Sequence, residues 1–271
     1  MTVRCAYIDL DGTLLGPGGS LMHDADGRVT LQGVRAIQAC LRADVEIMLL
    51  SGRRHANVGA VARLFGQRSY IYEAGACVVL EGEEHWLTGD LTPGELTIAE
   101  QIARTGAPEL LLGLYPGRLE YHAPWHLDRE VSHLFRGLVD VAEADGELAR
   151  AGHGNLRLVD NGVINVRSAG LAQLDHVRCY HLLPAGVSKA AAIAFHRRVR
   201  GYERDELIAV GDSREDLACA PEVGTFYLVA NGAERDPAIA ASLAGTANVR
   251  VTDAAHGAGV YEAVVGALAA G

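Results

Sequence analysis

Three short apolar runs, Val3 to Ile8, Val45 to Leu50 and Leu207 to Val210, each stop abruptly on a polar cluster. The clusters are Asp9-Leu10-Asp11-Gly12-Thr13, Ser51-Gly52 and Gly211-Asp212-Ser213-Arg214-Glu215-Asp216. Runs of this length predict buried strands, and the spacing of Val34, Ile37 and Leu41 predicts a helix between Leu31 and Ala43. A second helix is expected from Arg53, with Ser51 as its cap, and a further strand over Tyr70–Tyr72. Strand alternating with helix is the pattern of a parallel α/β sheet, where ligands gather at the carboxyl ends of the strands.

The texture changes after Ala76. Short alternating runs (Cys77 to Leu80, His85 to Leu87, Leu156 to Val159, Val163 to Val166) are separated by Gly, Asp and Asn, with helical patterns over Pro93–Arg104 and Leu127–Ala144. The α/β rhythm resumes with a helix over Ser188–Arg200, the strand Leu207–Val210, a helix from Arg214, the strand Thr225–Val229 and a last helix over Gly259–Ala269. The expected organisation is an α/β core made of 1–76 and 185–271, with an α+β domain, 77–184, inserted into it.

Composition narrows the function classes. A net charge of -10 lacks the basic face that sequence-independent nucleic-acid binding requires. No apolar run approaches the ~18 residues of a membrane span, and the acids at Asp9 and Asp11 do not suit a signal peptide. The five cysteines are scattered without a Cys-x-x-Cys pair, which suits reduced thiols and a cytoplasmic location. Basic positions are arginine throughout except for a single lysine, Lys189.

Asp9 and Asp11 sit two apart after a strand, so both carboxylates can face one site. Held that close they repel, and either one is protonated or the two share a cation. Ser51 and Gly52 offer a hydroxyl and backbone N–H groups at a helix start, which suits an anion, although capping explains Ser51 as readily. Lys189 falls in the first turn of a helix, where the dipole disfavours a cation. Asp212 again places a carboxylate after a strand, with Asp216 one helical turn further in; capping by Asp212 or Ser213 is the ordinary explanation. Carboxylates from two strand ends suit Mg²⁺, and the hydroxyl, N–H groups and lysine suit phosphoryl oxygens.

The order of these motifs resembles the haloacid-dehalogenase-like superfamily, and within it the Cof-like phosphatases with an α+β cap inserted after the second motif. The matching segments are DLDGT at Asp9–Thr13, LLSGR at Leu49–Arg53, GVSKA at Gly186–Ala190 and GDSREDLA at Gly211–Ala218; VANGAE from Val229 is also similar. The resemblance implies a Rossmann-like core and an aspartyl-phosphate mechanism. In it Asp9 is the nucleophile and Asp11 the general acid and base. Mg²⁺ is held by Asp9, the Asp11 backbone carbonyl and Asp212, with Asp216 assisting. Ser51, Gly52 and Lys189 bind the phosphoryl group, with Thr13 orienting the first loop. Glu215 departs from the family, which usually has Asn there.

The cap is expected to set the substrate. Tyr121, His122 and Trp125 in the stretch YPGRLEYHAPWH, and Arg167, are candidate specificity residues, against the ordinary alternatives of cap core and exposed surface. The reading is a Mg²⁺-dependent phosphatase of a small phosphorylated metabolite, a sugar phosphate or a phosphoglycerate-type compound. No nucleic-acid or membrane partner is expected, and the chain is read as a monomer or small homo-oligomer. A phosphomutase or phosphotransferase of the same fold, or a degenerate relative that only binds phosphorylated ligands, remains open at this point.

Overall fold

A computed structural model describes residues 2–165, 168–236, 239, 243 and 246–270. The chain begins β1 (Cys5–Ile8), α1 (Gln32–Arg42), β2 (Glu46–Leu50), α2 (His55–Leu64), β3 (Tyr70–Tyr72) and the hairpin β4 (Cys77–Leu80) and β5 (Glu83–Trp86). The middle holds α3 (Ile98–Arg104), α4 (Ala107–Leu114), β6 (Leu119–Tyr121), β7 (His133–Gly137), α5 (Val141–Arg150), β8 (Leu156–Ile164) and β9 (Val177–Pro184). The last part runs α6 (Lys189–Arg200), β10 (Leu207–Gly211), α7 (Arg214–Leu217), β11 (Thr225–Leu228), α8 (Ala230–Arg235), β12 (Val249–Val251) and α9 (His256–Ala270).

Eight strands form one sheet in the order β12-β11-β10-β1-β2-β3-β4-β5, parallel except where β4 and β5 turn back along its edge. Both faces are covered, so its central strands are apolar but for Glu46 at the start of β2. Alternate residues of β1 serve the two sides. Ala6 and Ile8 pack with Ile37 of α1, Val58 of α2 and Val260 of α9, while Cys5 and Tyr7 pack with Ala192 and Ile193 of α6. In this register Ile8 lies beside both Leu49 and Val210. The three strands therefore end level, and their polar clusters leave the sheet side by side.

A second sheet, antiparallel in the order β6-β7-β9-β8, carries α3, α4 and α5 on one face through Ile98, Ile102, Leu111, Leu148, Phe135, Tyr180 and Leu182. The hairpin β4–β5, which the sequence reading places in the insert, pairs with β3 in the large sheet. The division we propose on this packing therefore keeps 77–86 with the core and lets the cap follow it. The helical pattern over Leu127–Ala144 resolves into a strand, β7, and the start of α5. The helix expected over Pro93–Arg104 begins only at Ile98, after a Thr97–Glu100 capping box.

A buried carboxylate is among the groups that join core and cap. Glu73, just past β3, is fully buried with φ of 46°. Its Oε1 accepts from the Glu130 amide at 2.8 Å, and its Oε2 from the amides of Val131 at 3.1 Å and Ser132 at 2.6 Å. Arg129 Nε lies 3.6 Å away, balancing the charge.

Candidate active site

At the end of β1 the backbone turns sharply at Gly12, whose φ of 88° suits glycine, and a Cβ there would meet Asp212 Oδ2 at 2.2 Å. The Gly12 carbonyl is fixed from the far side by Asn231 Nδ2 at 2.8 Å and His256 Nδ1 at 2.9 Å, and the His256 amide donates to Asn231 Oδ1. This tightness brings the first and third polar clusters together. Oxygens of Asp9, Asp212 and Asp216 all lie within 4.8 Å of one another. Thr13 Oγ1 donates to Asp212 Oδ1 at 3.1 Å and so holds that carboxylate in place.

Lys189 reaches the same point from α6. Its Nζ donates to Asp9 Oδ1 at 2.8 Å and to Asp216 Oδ1 at 2.6 Å, and the residue is 1% exposed. Burial alone would discharge it, but Asp216 and Asp9 outweigh burial and hold the ammonium well above its ordinary value. Asp216 Oδ2 is also occupied, accepting from the Ser213 hydroxyl at 2.6 Å and from the amides of Ser213 and Asp212. Asp212 is pushed up to about 7 by burial and by the adjoining Asp216. Three carboxylates against one ammonium leave an excess of negative charge on oxygen ligands alone, and this donor set fits Mg²⁺.

Asp11 faces outward from the same loop and is paired with Arg53, whose Nε donates to Oδ2 at 2.6 Å and Nη2 to Oδ1 at 2.5 Å. Ser51 is buried at the end of β2, its Oγ accepting from the Arg53 amide at 3.2 Å. It does not cap α2, whose flanking residue is Arg54. Glu215, the departure from the family pattern, points away from the carboxylate cluster: its Oε1 accepts the Lys189 backbone N–H at 3.2 Å, an anion at a helix start.

Above these groups lies a cavity of about 680 Å³ whose floor includes Asp9, Asp11, Ser51, Gly52, Lys189, Asp212 and Asp216. Its cap wall holds His122, Trp125, Arg129, Asn161, Asn165 and His181 and, among the described residues, no carboxylate. Trp125 stands 56% exposed. His122 is pushed down to about 4 by burial and by Arg136 and Arg129, so its ring is neutral.

A family model described as haloacid dehalogenase-like hydrolase matches residues 6–99. A phosphoglycolate phosphatase of Methanothermobacter thermautotrophicus is 25% identical over 97% of both chains. Among solved structures, a Thermoplasma acidophilum protein superposes with a TM-score of 0.65 at 18% identity, covering 98% of this chain and 99% of its own. The sucrose-phosphatase of Synechocystis, solved with sucrose and phosphate, gives 0.64 at 14% identity and 98% of both chains; these two likenesses bear on the fold. Over residues 6–99 the chain is thus similar to the haloacid dehalogenase-like hydrolases, and the whole chain shares its fold with solved structures of that kind.

The structure gathers Asp9, Asp11, Ser51, Gly52, Lys189, Asp212 and Asp216 around one cavity, with His122 and Trp125 on its cap side. Thr13 supports Asp212 and does not itself line the cavity. Tyr121 does not line the cavity: its ring stacks between Phe135 and His126, with centroids 5.0 and 4.9 Å away. Arg167 lies outside the described residues. Sequence reasoning missed Arg53, Arg129, Asn161 and His181 at the cavity, and Asn231 and His256 behind Gly12. Of these Arg53, inside the LLSGR segment, and Asn231, inside the VANGAE segment, carried a signal.

Proposed function

We propose that this protein is a Mg²⁺-dependent phosphatase that cleaves a small phosphate monoester through an aspartyl phosphate on Asp9. The observation that carries the reading is the buried contact of Lys189 with Asp9 and Asp216, beside Asp212, on the floor of a cavity roofed by the cap. Mg²⁺ would be held by Asp9, the Asp11 carbonyl and Asp212, with Asp216 supporting them, and when bound it neutralises charge on the phosphoryl oxygens.

An Asp9 carboxylate oxygen forms a bond to phosphorus as the bond from phosphorus to the ester oxygen breaks. Asp11 gives its proton to the departing alkoxide, then takes one from the water that attacks the acyl phosphate. Inorganic phosphate leaves, and both carboxyl groups return to their starting states. Arg53 donates to both Asp11 oxygens and so sets the position and tilt of that carboxyl group. Lys189, Ser51 and the N–H groups around Gly52 hold the phosphoryl oxygens. Lys189 also keeps Asp9 from being repelled by Asp216.

Phosphorylated short acids of the phosphoglycolate or phosphoglycerate type suit the cap wall better than sugar phosphates. A sugar offers hydroxyl donors that need acceptors, whereas a carboxylate is acceptor-only, and the cap wall carries Arg129 and, among the described residues, no carboxylate. The relative named phosphoglycolate phosphatase supports the same choice. The test is phosphate release with Mg²⁺ over a panel of phosphoglycolate, phosphoglycerates and hexose phosphates. Phosphate release that is fastest from the phosphorylated acids is expected, and no release from any monoester would overturn the reading.

A further inference from the structure

Side chains of β9 alternate between two environments. Tyr180 and Leu182 enter the cap core, while Cys179 and His181 face the cavity. His181 is 1% exposed and tethered through its inner nitrogen, with Nδ1 lying 3.1 Å from Ser132 Oγ. That hydroxyl in turn accepts from Arg129 Nε at 2.7 Å. Arg129 has its remaining nitrogens engaged as well, Nη2 on the Gly52 carbonyl at 2.5 Å and Nη1 on the Trp125 carbonyl at 3.3 Å.

The order of donors follows. An arginine nitrogen only donates, so Ser132 Oγ spends a lone pair on Arg129 and has its own hydrogen to place. The partner within reach is His181 Nδ1. If Nδ1 receives that hydrogen, the ring proton of a neutral imidazole sits on Nε2. Burial and the charges of Arg129 and Lys189 keep the ring neutral. Nε2 points at the phosphate loop: a Cβ built on Gly52 would meet it at 2.9 Å and Asn161 Nδ2 at 3.3 Å. The cap thus places a fixed N–H beside the residue next to Ser51, where the non-phosphate end of a bound monoester would lie.

Resting on the phosphatase reading above, we infer that His181 is a specificity-determining residue whose Nε2–H, set by the Arg129–Ser132 relay, donates to a carboxylate on the substrate's leaving group. Arg129 and Ser132 are positioning residues that act through it. An imidazole held in one tautomer loses little freedom on binding, and it offers an acceptor-only group a donor that cannot reverse its sense.

The test compares phosphoglycolate with p-nitrophenyl phosphate, an aryl monoester without a carboxylate. His181→Ala is expected to lower kcat/KM for phosphoglycolate by about 10- to 100-fold, the range for one hydrogen bond to a charged group, mainly through KM. The aryl ester is expected to change less than about 3-fold, since it never uses that bond. His181→Gln, whose amide nitrogen reaches the place of Nε2, is expected to restore much of the loss, and His181→Asn is not. Ser132→Ala, a smaller change, is expected to raise KM for phosphoglycolate and spare the aryl ester. Nitrogen NMR of the wild-type ring, independent of turnover, is expected to show Nε2 protonated and Nδ1 bare.

Equal losses on both substrates, no loss on phosphoglycolate, or a proton on Nδ1 would each overturn the inference. Activity on the aryl ester with none on any phosphorylated acid would overturn it while leaving the phosphatase reading in place. Absence of turnover on every ester would instead remove that reading. Calorimetric binding of phosphoglycolate, weakened by His181→Ala or not, then decides the inference by itself.

Discussion

Arg53 grips both oxygens of Asp11, Nε to Oδ2 at 2.6 Å and Nη2 to Oδ1 at 2.5 Å, although the two residues are 42 positions apart. The pair links the loop after β1 to the loop after β2, the two that meet at the floor of the cavity. A planar fork fixes both the position and the tilt of the carboxylate, which an ammonium cannot do.

Arg53→Lys is therefore expected to cost activity and little stability. The Asp11 side chain is 54% exposed, so the pair contributes at most about 1 kcal/mol to folding. Losing the orientation of the acid and base group is expected to lower kcat by about 10-fold, the lower edge of what a misplaced catalytic group costs. Steady-state kinetics and urea unfolding of the same variant check both halves. A stability loss well above 1 kcal/mol with normal kcat would contradict the assignment.

Lys189 differs in kind because it is buried. Lys189→Met leaves Asp9 and Asp216 without their shared cation, and breaking a buried pair in this way costs about 3–5 kcal/mol. Lys189→Arg keeps the charge but not the fit, since a guanidinium is too broad for a space in which Nζ lies 2.8 and 2.6 Å from two carboxylates. A fall in kcat/KM of about 100-fold or more is expected for the arginine variant. Wild-type kinetics in that variant would reassign Lys189 to a purely structural role.

Asp9→Asn removes the nucleophile and keeps its shape. Turnover is expected to drop by orders of magnitude while circular dichroism is unchanged, because an amide forms no acyl phosphate. Beryllium fluoride, which mimics the phosphorylated carboxylate, is expected to raise the melting temperature of the wild type and not of this variant. Measurable turnover in pure Asp9→Asn protein would rule out the covalent route.

The crowded carboxylates also give a pH signature. Asp212 ionises near pH 7 in the folded chain, well above its ordinary 3.8, because of burial and the Asp216 charge. Between those values the folded state binds more protons than the unfolded one, so stability falls as pH rises through that window. In EDTA the urea midpoint is expected to be higher at pH 5 than at pH 8. Mg²⁺ is expected to raise the pH 8 midpoint and restore activity, while Ca²⁺, which prefers more ligands and looser geometry, is expected to inhibit. A midpoint in EDTA that rises from pH 5 to pH 8, or full activity in excess chelator, would contradict a cation shared by these carboxylates.

Much of the core was legible because its chemistry sits where each strand stops. Asp9, Ser51 and Asp212 follow apolar runs directly, so a linear reading finds them. His181, Arg129 and the pairing of Arg53 with Asp11 were not legible, since each acquires meaning only from a partner brought near by folding: Arg129 meets Gly52 from 77 residues away. The stretch from Leu127 misled for a different reason. Val131, Leu134, Phe135 and Leu138 repeat at helical spacing, yet His133–Gly137 pairs with β6 and β9, and that pairing overrides the local pattern. Glu215 looked like an intruder at a phosphate site until its carboxylate was placed at the start of α6.

The Glu73 carboxylate carries a consequence for any attempt to move the cap to another scaffold. The turn through Glu130, Val131 and Ser132 lends three amide hydrogens to an acceptor that belongs to the other sheet. Excised alone, a segment such as 87–184 would leave those amides without the Glu73 acceptor. The same turn bears Ser132, which orients His181. A transplanted cap would need a glutamate at the matching strand end of its new host to keep its own selectivity.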